Sequence, residues 1–138
     1  MGMSYLLDTH ILLWWLFNDL KLDKECRDII RHPNHNILVS SVSAWEIATK
    51  YRIGKLPEAK FLVEHYQDTL NQAKFNELTI TVAHALRAGN LPILHRDPFD
   101  RMLMAQAELE ELPIITYDQA SQTGLIEVIP SASTVIRI

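Results

Sequence analysis

Short apolar runs recur along this chain, and stretches with helical spacing of their apolar residues lie between them. The runs are Tyr5-Leu6-Leu7, Asn36-Ile37-Leu38-Val39-Ser40, residues 75–78 and residues 112–116. Runs of that length read as buried strands. The stretches 11–17, 24–31, 44–52, 58–73, 81–88 and 98–111 read as helices. Strands that alternate with helices predict an α/β domain with a mainly parallel central sheet of about five strands and helices on both faces. The last strand is expected near 126–129, just after Gly124.

The helix boundaries carry an unusual amount of charge. Asp97 suits an N-cap and Pro98 the first helical position, which puts Asp100 at the third. A carboxylate there meets free N–H groups and the positive end of the helix dipole. Thr9 suits the cap of helix 11–17, and Ser41 and Ser43 bracket the cap of a helix starting at Ala44. Glu46 then lies in a first turn. Trp14 and Trp15 are adjacent, so they point to different sides of their helix, one to the core and one to a partner.

A chain of 138 residues fits one domain, taken as residues 3–138, with Met1-Gly2 read as an addition ahead of the natural start. The net charge of −4 argues against a generally basic nucleic-acid binder but leaves room for a local basic rim. Cys26 is the only cysteine, so no disulfide forms within the chain, which is compatible with a reducing, cytoplasmic setting. Residues 11–17 are too short to span a bilayer, and no basic segment precedes them as in a signal peptide. No membrane association is expected.

Four acids map to one edge of the predicted sheet. Asp8 ends the first run, Glu46 follows the second, Asp100 opens the helix at 98, and Asp118 follows the run 112–116. Each has an ordinary structural explanation as a cap, a dipole partner or a turn residue. Together they sit where open α/β sheets bind ligands, outside the carboxyl ends of the strands. Two like charges ~4 Å apart repel by roughly 4 kcal/mol at an effective dielectric of 20. Helix N-termini offset only about 0.3–1 kcal/mol each. Protons or a hard divalent cation must supply the rest, and carboxylate ligands suit Mg²⁺ or Mn²⁺. The scattered histidines and single cysteine form no set suited to zinc.

The same stretches carry a resemblance. Leu6-Leu7-Asp8-Thr9-His10, Ser41-Val42-Ser43-Ala44-Trp45-Glu46-Ile47, the run from Arg96 through Asp97-Pro98-Phe99-Asp100-Arg101 to Ala107, and Ile115-Thr116-Tyr117-Asp118 stand in the order and spacing of PIN-domain ribonucleases. The chain resembles the toxins of VapBC toxin–antitoxin pairs over nearly its whole length. That resemblance implies that Asp8, Glu46, Asp100 and Asp118 form a Mg²⁺ or Mn²⁺ site, with Thr9, Ser41 and Thr116 as polar neighbours. Asp97 and Arg101 enter as supporting residues. It implies metal-assisted hydrolysis of RNA phosphodiester bonds, leaving a 5′-phosphate and a 3′-hydroxyl. Lys50, Arg52, Lys55 and Arg96 are the candidates to meet the RNA backbone, and Arg101 can also brace the acids through bidentate pairing. The expected partners are an RNA substrate, a second copy in a homodimer, and a small VapB-type antitoxin.

Other readings are weaker. A haloacid-dehalogenase-type phosphatase also begins with strand and Asp, but needs a second Asp where this chain has His10. A receiver domain needs a phosphoacceptor after a middle strand and a late lysine, and neither is evident. A catalytically silent PIN scaffold that binds RNA or a partner protein is the alternative from another class, and retention of all four acids speaks against it.

Overall fold

The computed structural model describes residues 2–92, 97–118 and 123–127, the last five and Asp118 by their backbone. The apolar runs become strands β1 (Ser4–Leu7), β2 (Asn36–Ser40), β3 (Asn76–Leu78), β4 (Ile114–Asp118) and β5 (Thr123–Glu127). The sheet runs β3-β2-β1-β4-β5. Its first four strands are mutually parallel, and β5 returns antiparallel on β4. The helices are α1 (Thr9–Leu16), α2 (Lys24–Arg31), α3 (Ser41–Arg52), α4 (Lys60–Glu64), α5 (Tyr66–Gln72), α6 (Val82–Asn90) and α7 (Pro98–Leu109).

Alternation along the strands explains why both faces are covered. Tyr5, Leu7, Ile37, Val39 and Ile115 point into one core, shared with Ile11 and Leu12 of α1, Cys26 and Ile30 of α2, and Leu70 of α5. Leu6, Leu38 and Ile114 point the other way, onto Ala88 of α6 and Leu103, Met104 and Ala107 of α7. With a side-chain period of two, consecutive apolar residues feed both layers at once. Helix α3 joins the layers, giving Ile47 to the first and Val42 to the second.

Several expected boundaries shift, each for a local reason. The run at 112–116 starts as a strand only at Ile114: Glu111 turns at φ 54° and Leu112 N–H folds back onto Ala107 O at 2.9 Å. Pro113 then lacks a ladder N–H to give. The helix expected over 58–73 is a 3₁₀ turn, Pro57–Ala59, followed by α4 and α5, which break at His65 (φ −128°, ψ 36°). Gly124 lies within β5, opposite Tyr117, rather than ahead of a strand at 126–129. Positions 128–129 lie outside the described residues.

From β1 the chain moves outward through β2 and β3, then crosses back to place β4 on the far side of β1. Strand order therefore reverses at β1. Such a switch point opens a crevice beyond the strand ends, and Asp8 is the first residue beyond β1.

Candidate active site

Asp8 serves as the N-cap of α1, a role expected of Thr9. The first residue beyond a buried strand and the cap of the following helix coincide at Asp8. Its N–H donates to Ile115 O at 3.0 Å, continuing the β1–β4 ladder. One carboxylate oxygen accepts from Ile11 N–H at 2.8 Å. The other accepts from the Thr116 hydroxyl at 2.6 Å and from Tyr117 N–H at 3.3 Å. The side chain is 1% exposed. Burial raises its pKa above the usual carboxylate value, against the hydrogen bonds from Thr116 and Ile11 and the charge of His10. Thr9 faces Ser43 instead, with hydroxyl oxygens 2.9 Å apart.

Glu46 lies one turn deeper in its helix than expected. The cap of α3 is Ser40, whose hydroxyl accepts from Val42 N–H at 3.0 Å. Helix α3 therefore starts at Ser41 and has no acid in its first turn. Compensation of the helix dipole does not explain Glu46, which is 3% exposed and pairs with Lys50 at 2.5 Å. Ser41 opens α3 against the neighbouring strand. Its hydroxyl bonds Glu77 and the carbonyl of Leu78, both of β3, at 3.4 Å. The serine beside the acid edge is Ser43, fully buried against Thr9.

Asp97 caps α7 as its sequence context predicts, accepting from Phe99 N–H at 2.8 Å and Asp100 N–H at 3.3 Å. Asp100 sits in the first turn, half-buried. Its pKa is pushed up to about 7 by burial and by the charges of Asp97, Glu46 and Asp8, with Lys50 opposing. Acids from α1, α3 and α7 thus lie within electrostatic reach of one another.

Arg101 reaches across to the neighbouring helix. Its guanidinium donates to Ala88 O at 2.9 Å, Gly89 O at 3.3 Å and Leu91 O at 3.1 Å. It closes the carbonyl end of α6, as cations at helix C-termini do. Lys50 and Lys55 line a groove of about 430 Å³ between α1 and α3, with Thr9, His10, Trp14 and Glu46. Arg52 is exposed. Arg96 and the side chain of Asp118 lie outside the described residues; the Asp118 backbone extends β4, paired with Thr123.

The aromatic residues divide as expected for neighbours on a helix. Trp14 lines the groove and meets Tyr117 edge-on at 4.7 Å, while Trp15 packs toward Phe75 at 6.4 Å. Two site-edge residues escaped the sequence reading. His10 stands beside the Trp14–Tyr117 pair, its ring centroid 6.1 and 6.5 Å from theirs. Trp45 is 59% exposed beside Glu46 and stands edge-on to Phe99 at 4.8 Å. An aromatic ring within two residues of a candidate acid is the sequence signal that would have found both.

Chemically, the edge offers oxygen donors with an excess of negative charge, suited to a hard divalent cation. Among the described residues no three His, Cys, Asp or Glu side chains already converge as a ready ligand set. The fit rests on the donor chemistry and on the repulsion seen at Asp100. Among the described residues no helix is long and apolar enough to cross a membrane.

Comparison with known proteins follows the same residues. The PIN domain model matches residues 5–122. Ribonuclease VapC16 of Mycobacterium tuberculosis is 37% identical over 70 residues, 49% of this chain and 50% of that protein. The chain thus covers about half the length of this curated relative. The crystal structure of VapBC2 from Rickettsia felis bound to a DNA fragment from their promoter superposes with a TM-score of 0.61. It covers 84% of this chain and 88% of that one at 17% identity, a likeness of fold.

Proposed function

The chain belongs to the PIN domain family, and we propose that it is a divalent-metal-dependent endoribonuclease acting as the toxin of a VapBC-type pair. One observation carries the reading: Asp8, Glu46 and Asp100, from the segments of three separate helices, lie close enough that burial and the charges of neighbouring acids push the Asp100 carboxyl up to about 7. A bound cation would offset the repulsion at Asp100.

In this reading Asp8, Glu46 and Asp100 hold Mg²⁺ or Mn²⁺, with Asp118 as the fourth acid. The ion, when bound, acidifies a water and polarises the phosphate. The chain's own part is to fix the donors. The Ile11 N–H holds one oxygen of Asp8, the Thr116 hydroxyl and Tyr117 N–H hold the other, and the oxygen facing Ile11 keeps acceptor capacity to spare. The Asp97 cap anchors the turn that presents Asp100. Lys50, paired with Glu46, and Lys55 line the groove and are the candidates to meet backbone phosphates.

The toxin role, a homodimer and an antitoxin partner belong to the same proposal, and residues 3–138 are read as one domain. The direct test is cleavage of a single-stranded RNA with Mg²⁺ or Mn²⁺, with and without chelator, by the native chain and by Asp100→Asn. Metal-dependent cutting lost in the variant supports the reading. RNA left intact by the native chain in both ions overturns it, and leaves the silent scaffold.

A further inference from the structure

The acid edge has two dissimilar flanks. On the α1 side of Glu46 lies the groove with Lys50 and Lys55. On the α7 side lie two aromatic rings. Trp45 immediately precedes Glu46, and Phe99 immediately precedes Asp100. Each ring is therefore tied by one peptide unit to an acid of the site. The rings stand at 75° to each other with centroids 4.8 Å apart. Such an edge contact fixes the indole plane and leaves ring face uncovered. Trp45 is 59% exposed, while Glu46 beside it is 3% exposed.

Core packing does not explain Trp45, since neither apolar core includes it and Val42, one turn earlier, fills that role. The chain as a whole carries net charge −4, so attraction for a polyanion must be local. Local cations on one side of a phosphate site and a fixed aromatic plane on the other form the pairing used to hold single-stranded nucleic acid. Resting on the ribonuclease reading, we infer that Trp45 is the stacking platform for a base of the RNA strand next to the scissile phosphate. Phe99 props the platform, and the strand continues on the far side past Lys50 and Lys55. Stacking is tolerant of base identity, so this platform sets position along the strand rather than sequence.

The test uses a short single-stranded RNA that the native chain cuts, and a series in which one nucleotide at a time is made abasic. Affinity is read by fluorescence anisotropy and cleavage by product analysis, for the native chain, Trp45→Ala and Trp45→Phe. Trp45→Ala should weaken affinity for the intact RNA by about 5- to 150-fold, and Trp45→Phe by much less. The loss should vanish for one abasic position beside the cut, because the partner base is already gone. Native-like affinity and cutting by Trp45→Ala overturns the inference while leaving the ribonuclease reading intact. So does an equal loss on every abasic RNA, or a change of Trp45→Ala to a smaller oligomer in light scattering, which would make a second copy the occupant. A native chain that neither binds nor cuts RNA overturns both readings.

Discussion

Two polar clusters in this molecule show opposite uses of charge. Where α6 packs on the end of α7, Glu108 and Glu110 each have a partner. Arg87 meets Glu108 at 2.9 Å, and buried His84 meets Glu110 at 2.9 Å. His84 also completes a capping box with Thr81, which makes the cluster part of helix architecture. At the sheet edge, by contrast, Asp8, Glu46, Asp97 and Asp100 act on one another, and Lys50 is the cation that opposes them at Asp100. The first cluster is arranged for stability. The second leaves Asp100 buried among like charges, which a bound cation would offset.

The largest expected effect separates the two clusters by activity. Asp100→Asn should lower RNA cleavage by orders of magnitude, while its metal-free melting temperature holds or rises, since one repelling charge is gone. Arg87→Ala should do the reverse. It leaves the mostly buried Glu108 carboxylate unpaired at a cost of roughly 1–3 kcal/mol, and cleavage well below melting should stay near native. Paired melting and cleavage measurements on both variants check this. If Arg87→Ala is inactive while folded, the clusters are not separable.

Acidity sharpens the contrast next. The Asp100 pKa is raised from 3.8 to about 7 in the folded chain. Between those values the folded state binds more protons than the unfolded one, so metal-free stability should fall as pH rises from about 4 to about 7 and level off above. Melting against pH should show that slope in the native chain and a flatter one in Asp100→Asn. Equal slopes would place the repulsion elsewhere.

The smallest effect concerns Asp97. As the α7 cap, Asp97→Ala should cost about 1 kcal/mol, while Asp97→Asn caps about as well and should stay near native stability. If Asp97→Asn is folded and inactive, Asp97 takes part in the chemistry as well.

Much of this was legible where local rules act alone. The Asp-Pro start of α7, the strands and the two-sided burial follow from capping chemistry and side-chain period. Where two local signals fell on one residue, the reading slipped. Asp8 ends a strand and caps a helix. Ser40 does the same, so Glu46 was placed a turn too early. What joins distant positions was not legible. Thr116 on Asp8, Ser43 on Thr9 and Arg101 on the α6 carbonyls depend on packing between elements far apart in the chain. The antiparallel return of β5 likewise depends on a hairpin rather than on the pattern within the strand.

The central claim is that the acids at the sheet edge await a divalent cation. Thermal melting at neutral pH with and without millimolar Mg²⁺ or Mn²⁺ tests it, on the native chain and on Asp8→Asn combined with Asp100→Asn. The account predicts that the cation raises the native melting temperature and leaves the double variant unmoved. A native chain indifferent to either ion, or a double variant stabilised just as much, would contradict it.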